Sequence, residues 1–371
     1  MTSIRLILAA VLIAGCTPRG EVVLYPPAAE VGVTRSVFVG TTRVFDPATG
    51  AFTDDRLRGQ VIFARYDVAV PPQRDLGAIR FPRPGARPDP QRDFTTAAQT
   101  LYDSRAGFRR DLARAMAAQP GPAEVTVFVH GFNNTFAEGM YRIAQLAHDL
   151  ELPGVAVHYS WPSAANPLGY VYDRDSALFA RDGLETLLAE LAAAGAQRIL
   201  LVAHSMGSAL AMEALRQTAI RGNRRVLDRL SGVILMSPDL DVDVFHEQAG
   251  AIGRLPQPFV IFSSRRDRAL ALSARLTGQR ERLGNLADLS EIADLEVTVL
   301  DVGAFSTGAG HFPLASSPAL IRLLSRISDV TTAFDADQTG RTGLLPGVVL
   351  TVQDATRIIL SPVAVIAEGA H

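Results

Sequence analysis

A single cysteine, Cys16, stands in the 371 residues of the chain. No intramolecular disulfide can form, and the body of the chain has no thiol for nucleophilic catalysis. Charge is also scarce: charged side chains make up 20% of the residues, and the formal net charge is -2. That balance lacks the basic stripe a nucleic-acid partner requires, so none is expected. Bilayer-spanning length is missing as well. The apolar run at residues 6–14 falls short of the roughly 20 residues that a membrane helix needs. The chain shows neither an internal repeat nor a coiled-coil pattern. The acidic stretch at residues 335–340 lacks the series of oxygen ligands and the terminal glutamate of a calcium loop, so it reads as a plain loop.

What is present begins with a short leader. Arg5, the apolar run and Gly15-Cys16 follow the pattern of an export signal. Ile13-Ala14-Gly15-Cys16 also resembles a bacterial lipobox, after which the cysteine is lipidated and becomes the new N-terminus. Cys16 is therefore expected to be a lipid (palmitate-bearing) attachment point, ending a signal peptide at residues 1–16. Thr17 follows it where an aspartate would retain the protein in the inner membrane. By analogy with enteric bacteria, this predicts a cell-envelope protein on the outer membrane, facing the periplasm. Residues 17–32, with Pro18, Gly20, Pro26 and Pro27, read as a tether.

The expected strands cover residues 33–41 and 60–70, followed by a Pro/Arg-rich surface loop at 80–93 and a helix at 100–118. From residue 123 short apolar strands alternate with helices. The strands fall at 125–129, 155–160, 199–203, 230–236, 258–264 and 296–302, with helices at 136–150 and 175–194. Such alternation predicts an α/β fold, a mostly parallel central sheet with helices on both faces. The first two strands are expected to join it antiparallel at one side. The domain is expected over 33–325, with 326–371 a C-terminal extension packed on it or flanking it. Within that extension, 348–352 and 356–360 fit either strand or helix.

The chemistry centres on Ala203-His204-Ser205-Met206-Gly207. A buried strand runs into it and a helical pattern follows at once, the context of a nucleophile elbow. Ala203 and Gly207 are small enough for that turn. A serine nucleophile needs a base and the base an orienting acid. His311, in a glycine-bearing loop after the last clear strand, is the candidate base. Of the other histidines, His204 is expected to pack beneath the elbow and His130 to shape its loop. Asp267, directly after the strand at 258–264, is the candidate acid, and Asp239, one strand earlier, is its rival. The order Ser, Asp, His is that of α/β-hydrolase triads. For the oxyanion, the Met206 amide and the Phe132 amide are the expected donors, with Gly131 allowing close approach. Asn133 and Asn134 are expected to brace that loop. Trp161, Tyr170 and Tyr172 either line a pocket or pack the base of a loop.

These motifs resemble the α/β-hydrolase superfamily. More narrowly, they resemble a bacterial branch long catalogued as a domain of unknown function (DUF900-like), over roughly residues 33–325. The resemblance rests on Val127-Phe-Val-His-Gly-Phe-Asn-Asn134, Tyr159-Ser-Trp-Pro-Ser163, the elbow, Ser237-Pro-Asp239 and Ser263-Ser-Arg-Arg-Asp-Arg-Ala-Leu270. It implies Ser205 as nucleophile, Asp267 as acid and His311 as base, and hydrolysis of an ester-like bond with no metal or organic cofactor expected. Arg266 stands where that branch often has asparagine. The expected function is a serine hydrolase that cleaves a carboxylic ester of a small molecule or lipid through an acyl-enzyme. The alternatives are an acyltransferase with the same triad and a non-catalytic envelope binding or scaffold lipoprotein.

Overall fold

The computed structural model describes residues 19–278, 281–305, 317–325 and 347–360. Cys16, His311 and the acidic loop at 335–340 lie outside the described residues. In chain order the strands are β1 (Val33–Thr41), β2 (Arg43–Asp46), β3 (Ala51–Arg56), β4 (Ile62–Val70), β5 (Thr95–Leu101), β6 (Glu124–Val129), β7 (Val155–Ser160), β8 (Arg198–His204), β9 (Leu230–Met236), β10 (Phe259–Ser263), β11 (Val297–Asp301), β12 (Gly347–Val352) and β13 (Ala355–Leu360). The helices are α1 (Arg105–Ala117), α2 (Phe136–Asp149), α3 (Tyr170–Ala193), α4 (Met206–Ile220), α5 (Arg224–Leu227), α6 (Val242–Ile252), α7 (Arg268–Leu276) and α8 (Pro318–Ser325).

Eleven strands form one sheet in the order β12-β13-β11-β10-β9-β8-β6-β7-β1-β4-β5, while β2 and β3 make a separate hairpin. The run from β13 to β1 is parallel throughout. Successive side chains of a strand point to opposite faces, so an apolar strand buried on both sides feeds two cores. Val125, Val127, Ile199, Leu201 and Ile261 join the core shared with α1, α3, α4 and α6. Phe128, Val202, Val260 and Leu300 join the other, shared with α2 and α8. This is the α/β fold expected from the alternation.

Three expectations change. Of the two first strands, only β4 is antiparallel at the side of the sheet; β1 lies parallel to β7 and belongs to the central run. Residues 347–360 are strands, and β13 pairs with β11, so this part of the C-terminal extension belongs to the sheet itself. Residues 19–32, expected as a tether, lie on the domain. The Thr96 amide donates to the Val23 carbonyl and the Tyr25 amide to the Thr96 carbonyl, at 2.9 and 2.7 Å. Ala28 is buried. Proline in this segment shapes a short 3-10 turn at Pro26–Glu30 and does not keep the chain off the surface.

Candidate active site

β8 ends at His204 and α4 starts at Met206, so the chain must turn from strand to helix on Ser205 alone. Ser205 sits at φ 52 and ψ -125, a conformation that costs a non-glycine residue about 1–3 kcal/mol. Its backbone is held on both sides: the amide donates to Met236 O at 2.9 Å, and the carbonyl accepts from the amides of Ser208 and Asp239 at 2.9 and 3.2 Å. Closeness of neighbouring backbone explains the small residues. A Cβ on Gly207 would fall 2.3 Å from the His130 carbonyl oxygen, and one on Gly131 would fall 2.9 Å from Ser205 Cβ. The loop after β6 thus lies directly on the elbow. Among the described residues, neither the Phe132 nor the Met206 amide donates to a protein acceptor.

A buried polar frame holds that loop. Asn134 Nδ2 donates to the Phe132 carbonyl at 2.8 Å. Asp173, fully buried at the start of α3, accepts from the Asn133 amide (3.1 Å), Ser163 Oγ (2.5 Å) and the Ala164 amide (2.7 Å). Burial raises the pKa of this carboxyl against the pull of those bonds and of Arg43. The Arg43 side chain is wholly buried and donates to Ser160 Oγ, the carbonyls of Thr53, Ser163 and Asn134, and Asp54 Oδ1. Burial lowers its pKa despite Asp54. From the other side Arg19 donates to Asn133 Oδ1 and O, both at 2.7 Å, and pairs with Glu138. Arg43, Asp173 and Arg19 escape a reading of the sequence, because a charged residue that is buried by distant segments carries no local signal.

His130 is buried with its ring stacked on Trp161 at 4.9 Å. Its nitrogens meet the carbonyls of Gly131 and Trp161, and Trp161 Nε1 donates back to the His130 carbonyl. Burial, with Arg43 nearby, pulls its pKa down to about 3. The ring is thus neutral and caged at the base of the loop. Trp161 is therefore packing. Tyr170 instead lies edge-on to Phe132 at 5.5 Å, and Tyr172 is half exposed under the Arg56 guanidinium.

The two candidate acids differ in their surroundings. Asp239 accepts from Ser273 Oγ (2.5 Å) and Tyr170 Oη (3.0 Å), and pairs with Arg282 Nε at 3.1 Å. Its carboxylate is thus committed to a brace across the mouth of the sheet. Asp267 is buried at the end of β10 and caps α7, its Oδ1 accepting the Leu270 amide at 3.0 Å. Ser205, Asp267 and the loop at 131–132 all stand at the C-terminal ends of parallel strands, where open α/β sheets bind ligands.

His158, on β7, is fully buried beside His130, and neither ring nitrogen has a hydrogen-bond partner among the described residues. Burial, then His130 and Arg43, hold its pKa well below the ordinary value. Both histidines are neutral when folded, yet titrate near 6.5 when unfolded. The unfolded chain therefore binds more protons below that pH. The stability these rings contribute is complete above about pH 6.5 and falls as the pH drops, towards about 3 for His130. His158→Leu should flatten the acid limb of melting temperature against pH by up to one proton, about 1.4 kcal/mol per pH unit. At pH 7 it should stabilise by about 1 kcal/mol, since an apolar side chain replaces unsatisfied nitrogens. An unchanged acid limb in calorimetry would refute this.

Residues 104–327, more than half of the chain, match the family described as "Alpha/beta hydrolase of unknown function". Solved structures show similarity at low identity. A YdeN-like hydrolase of Pectobacterium atrosepticum is 16% identical, with 59% of this chain and 99% of that one covered and a TM-score of 0.30. An esterase of Pyrococcus furiosus is 12% identical, with 76% and 86% covered and a TM-score of 0.30. A lipase-esterase related protein of Clostridium acetobutylicum is 14% identical, with 60% and 96% covered and a TM-score of 0.24. No curated relative matches the sequence. By its matched residues, the chain belongs to this alpha/beta hydrolase family.

Proposed function

We propose that the protein is a serine hydrolase that cleaves a carboxylic ester-like bond through an acyl-enzyme. The observation that carries the reading is Ser205 at positive φ between strand and helix, with the glycine loop at 131–132 packed against it. Ser205 Oγ would attack the acyl carbonyl carbon as its proton passes to His311, the base assigned from the sequence. Asp267 would hold the imidazole tautomer, and the Phe132 and Met206 amides would receive the developing oxyanion. Return of the proton releases the alcohol. Water, activated by the same histidine, then breaks the acyl–Ser205 ester and frees the acid.

The leader sequence supports a second part of the proposal: attachment through Cys16 to the outer membrane of a bacterial envelope, facing the periplasm. The test of the chemistry is a p-nitrophenyl ester series from acetate to palmitate, with fluorophosphonate labelling alongside. Ser205→Ala should lose the label and about three to six orders of magnitude of turnover. Turnover diverted to a competing alcohol would mean acyl transfer. A folded protein that neither turns over esters nor takes the label would mean a fold kept for binding.

A further inference from the structure

We infer that the rim of the site rests on an anionic lipid surface, and that the substrate is an ester carried in that surface. The inference builds on the serine-hydrolase reading for its substrate and on the Cys16 attachment for its location.

The argument starts with reach. Arg19 is three residues after Cys16, a span of at most about 11 Å when extended. Arg19 is fixed to the loop beside Ser205 through Asn133, and to the Ala165 carbonyl at 2.9 Å. Two residues between Cys16 and Arg19 cannot carry the attachment point farther than that span. A lipid on Cys16 would hold the 131–133 loop and the 165–172 segment on the order of 10 Å from the headgroups.

That segment is built for such a surface. Leu168 is 92% exposed and Val171 73%. Across the mouth, Tyr170 Oη meets Ser273 Oγ of α7 at 2.7 Å. The outer face of α7 shows Leu272 and Leu276, 57% and 64% exposed. Arg268 and Arg275 are exposed on the same helix, and neither forms an ion pair among the described residues. Exposed leucines interleaved with uncompensated arginines fit an interface of acyl chains and anionic headgroups. Both halves of the rim are joined to the site through Tyr170, which touches Phe132 and Asp239.

The test uses the full chain reconstituted in vesicles of phosphatidylcholine and phosphatidylglycerol. Leu168→Trp should be quenched by brominated phospholipid to less than half its emission, whereas the native Trp161, buried, should not respond. Leu168→Asp with Val171→Asp should lower turnover of a vesicle-borne long-chain ester at least tenfold and leave p-nitrophenyl acetate unaffected. Absence of quenching, or an equal loss on both substrates, overturns the inference. Quenching in a protein that hydrolyses neither substrate would uphold the docking surface and overturn its ester substrate, so failure of the hydrolase reading is seen separately.

Discussion

Asp267→Asn is expected to fold as the native chain does and to lose about four orders of magnitude in ester turnover, while Asp239→Asn is expected to fail in the opposite way. An amide at Asp267 keeps an oxygen for the Leu270 amide, so the cap on α7 survives. What it loses is the charge that, in the proposed triad, would fix the base in its productive tautomer, and in serine triads that change costs about 10⁴ in turnover. At Asp239 the carboxylate faces Arg282, and the two side chains are only 3% and 7% exposed. Neutralising it strands a buried guanidinium at a cost of about 3–5 kcal/mol. The paired measurement is kcat on a short p-nitrophenyl ester together with urea unfolding. Asp239→Asn should shift the unfolding midpoint, and its kcat per folded molecule should fall by no more than about tenfold. Full activity in folded Asp267→Asn would transfer the acid's part elsewhere.

Gly207→Ala should damage stability and catalysis together. Its Cβ would meet backbone, the His130 and Val129 carbonyl oxygens at 2.3 and 2.7 Å, and backbone cannot rotate away as a side chain tip can. Overpacking of this kind costs about 1–3 kcal/mol or more. Relief would come from parting α4 and the β6 loop, the two elements that carry Met206 and Phe132. Separated donors serve an oxyanion poorly, so kcat should fall about 10²–10³-fold. Gly250→Ala is the matched control. That glycine lies on an exposed face of α6 with nothing within 4 Å of the new Cβ, and the change should stabilise by about 0.5–1 kcal/mol. A Gly207→Ala protein with native stability and kcat would show that the contact can relax at no cost.

The elbow is legible in the sequence because its requirements are local: an apolar strand, a one-residue turn, small neighbours and a helix, all close together in the chain. Most strands of the parallel run are legible for the same reason, being continuous apolar runs buried on both faces. β5 escapes such a reading because Thr95–Leu101 is polar and marginal to the sheet, so its end reads as the start of α1. α3 begins at Tyr170, earlier than the apolar periodicity, because its first turn is used for Asp173 and Tyr170 and not for the core. Spacing treats Asp239 and Asp267 alike, since both follow parallel strands, and their different surroundings are equally hidden from it. Ser273 and Arg282, the partners of Asp239, come to it from a later segment. The buried frame of Arg43 and Asp173 is illegible for the same reason. Its partners come from β3, β7 and the β6 loop, and no window of sequence contains them.

The docked segment at residues 19–32 has one more consequence. β5 is the edge strand at one end of the sheet, and an edge strand offers unpaired amides and carbonyls to any passing chain. Val23, Leu24 and Tyr25 lie along it at Thr96 and take up part of that bonding capacity. Residues 23–25 therefore shield that flank of the sheet from strand addition. A soluble form trimmed to begin at Val33 would lose this guard along with Arg19, and would leave an adhesive border open to a second molecule.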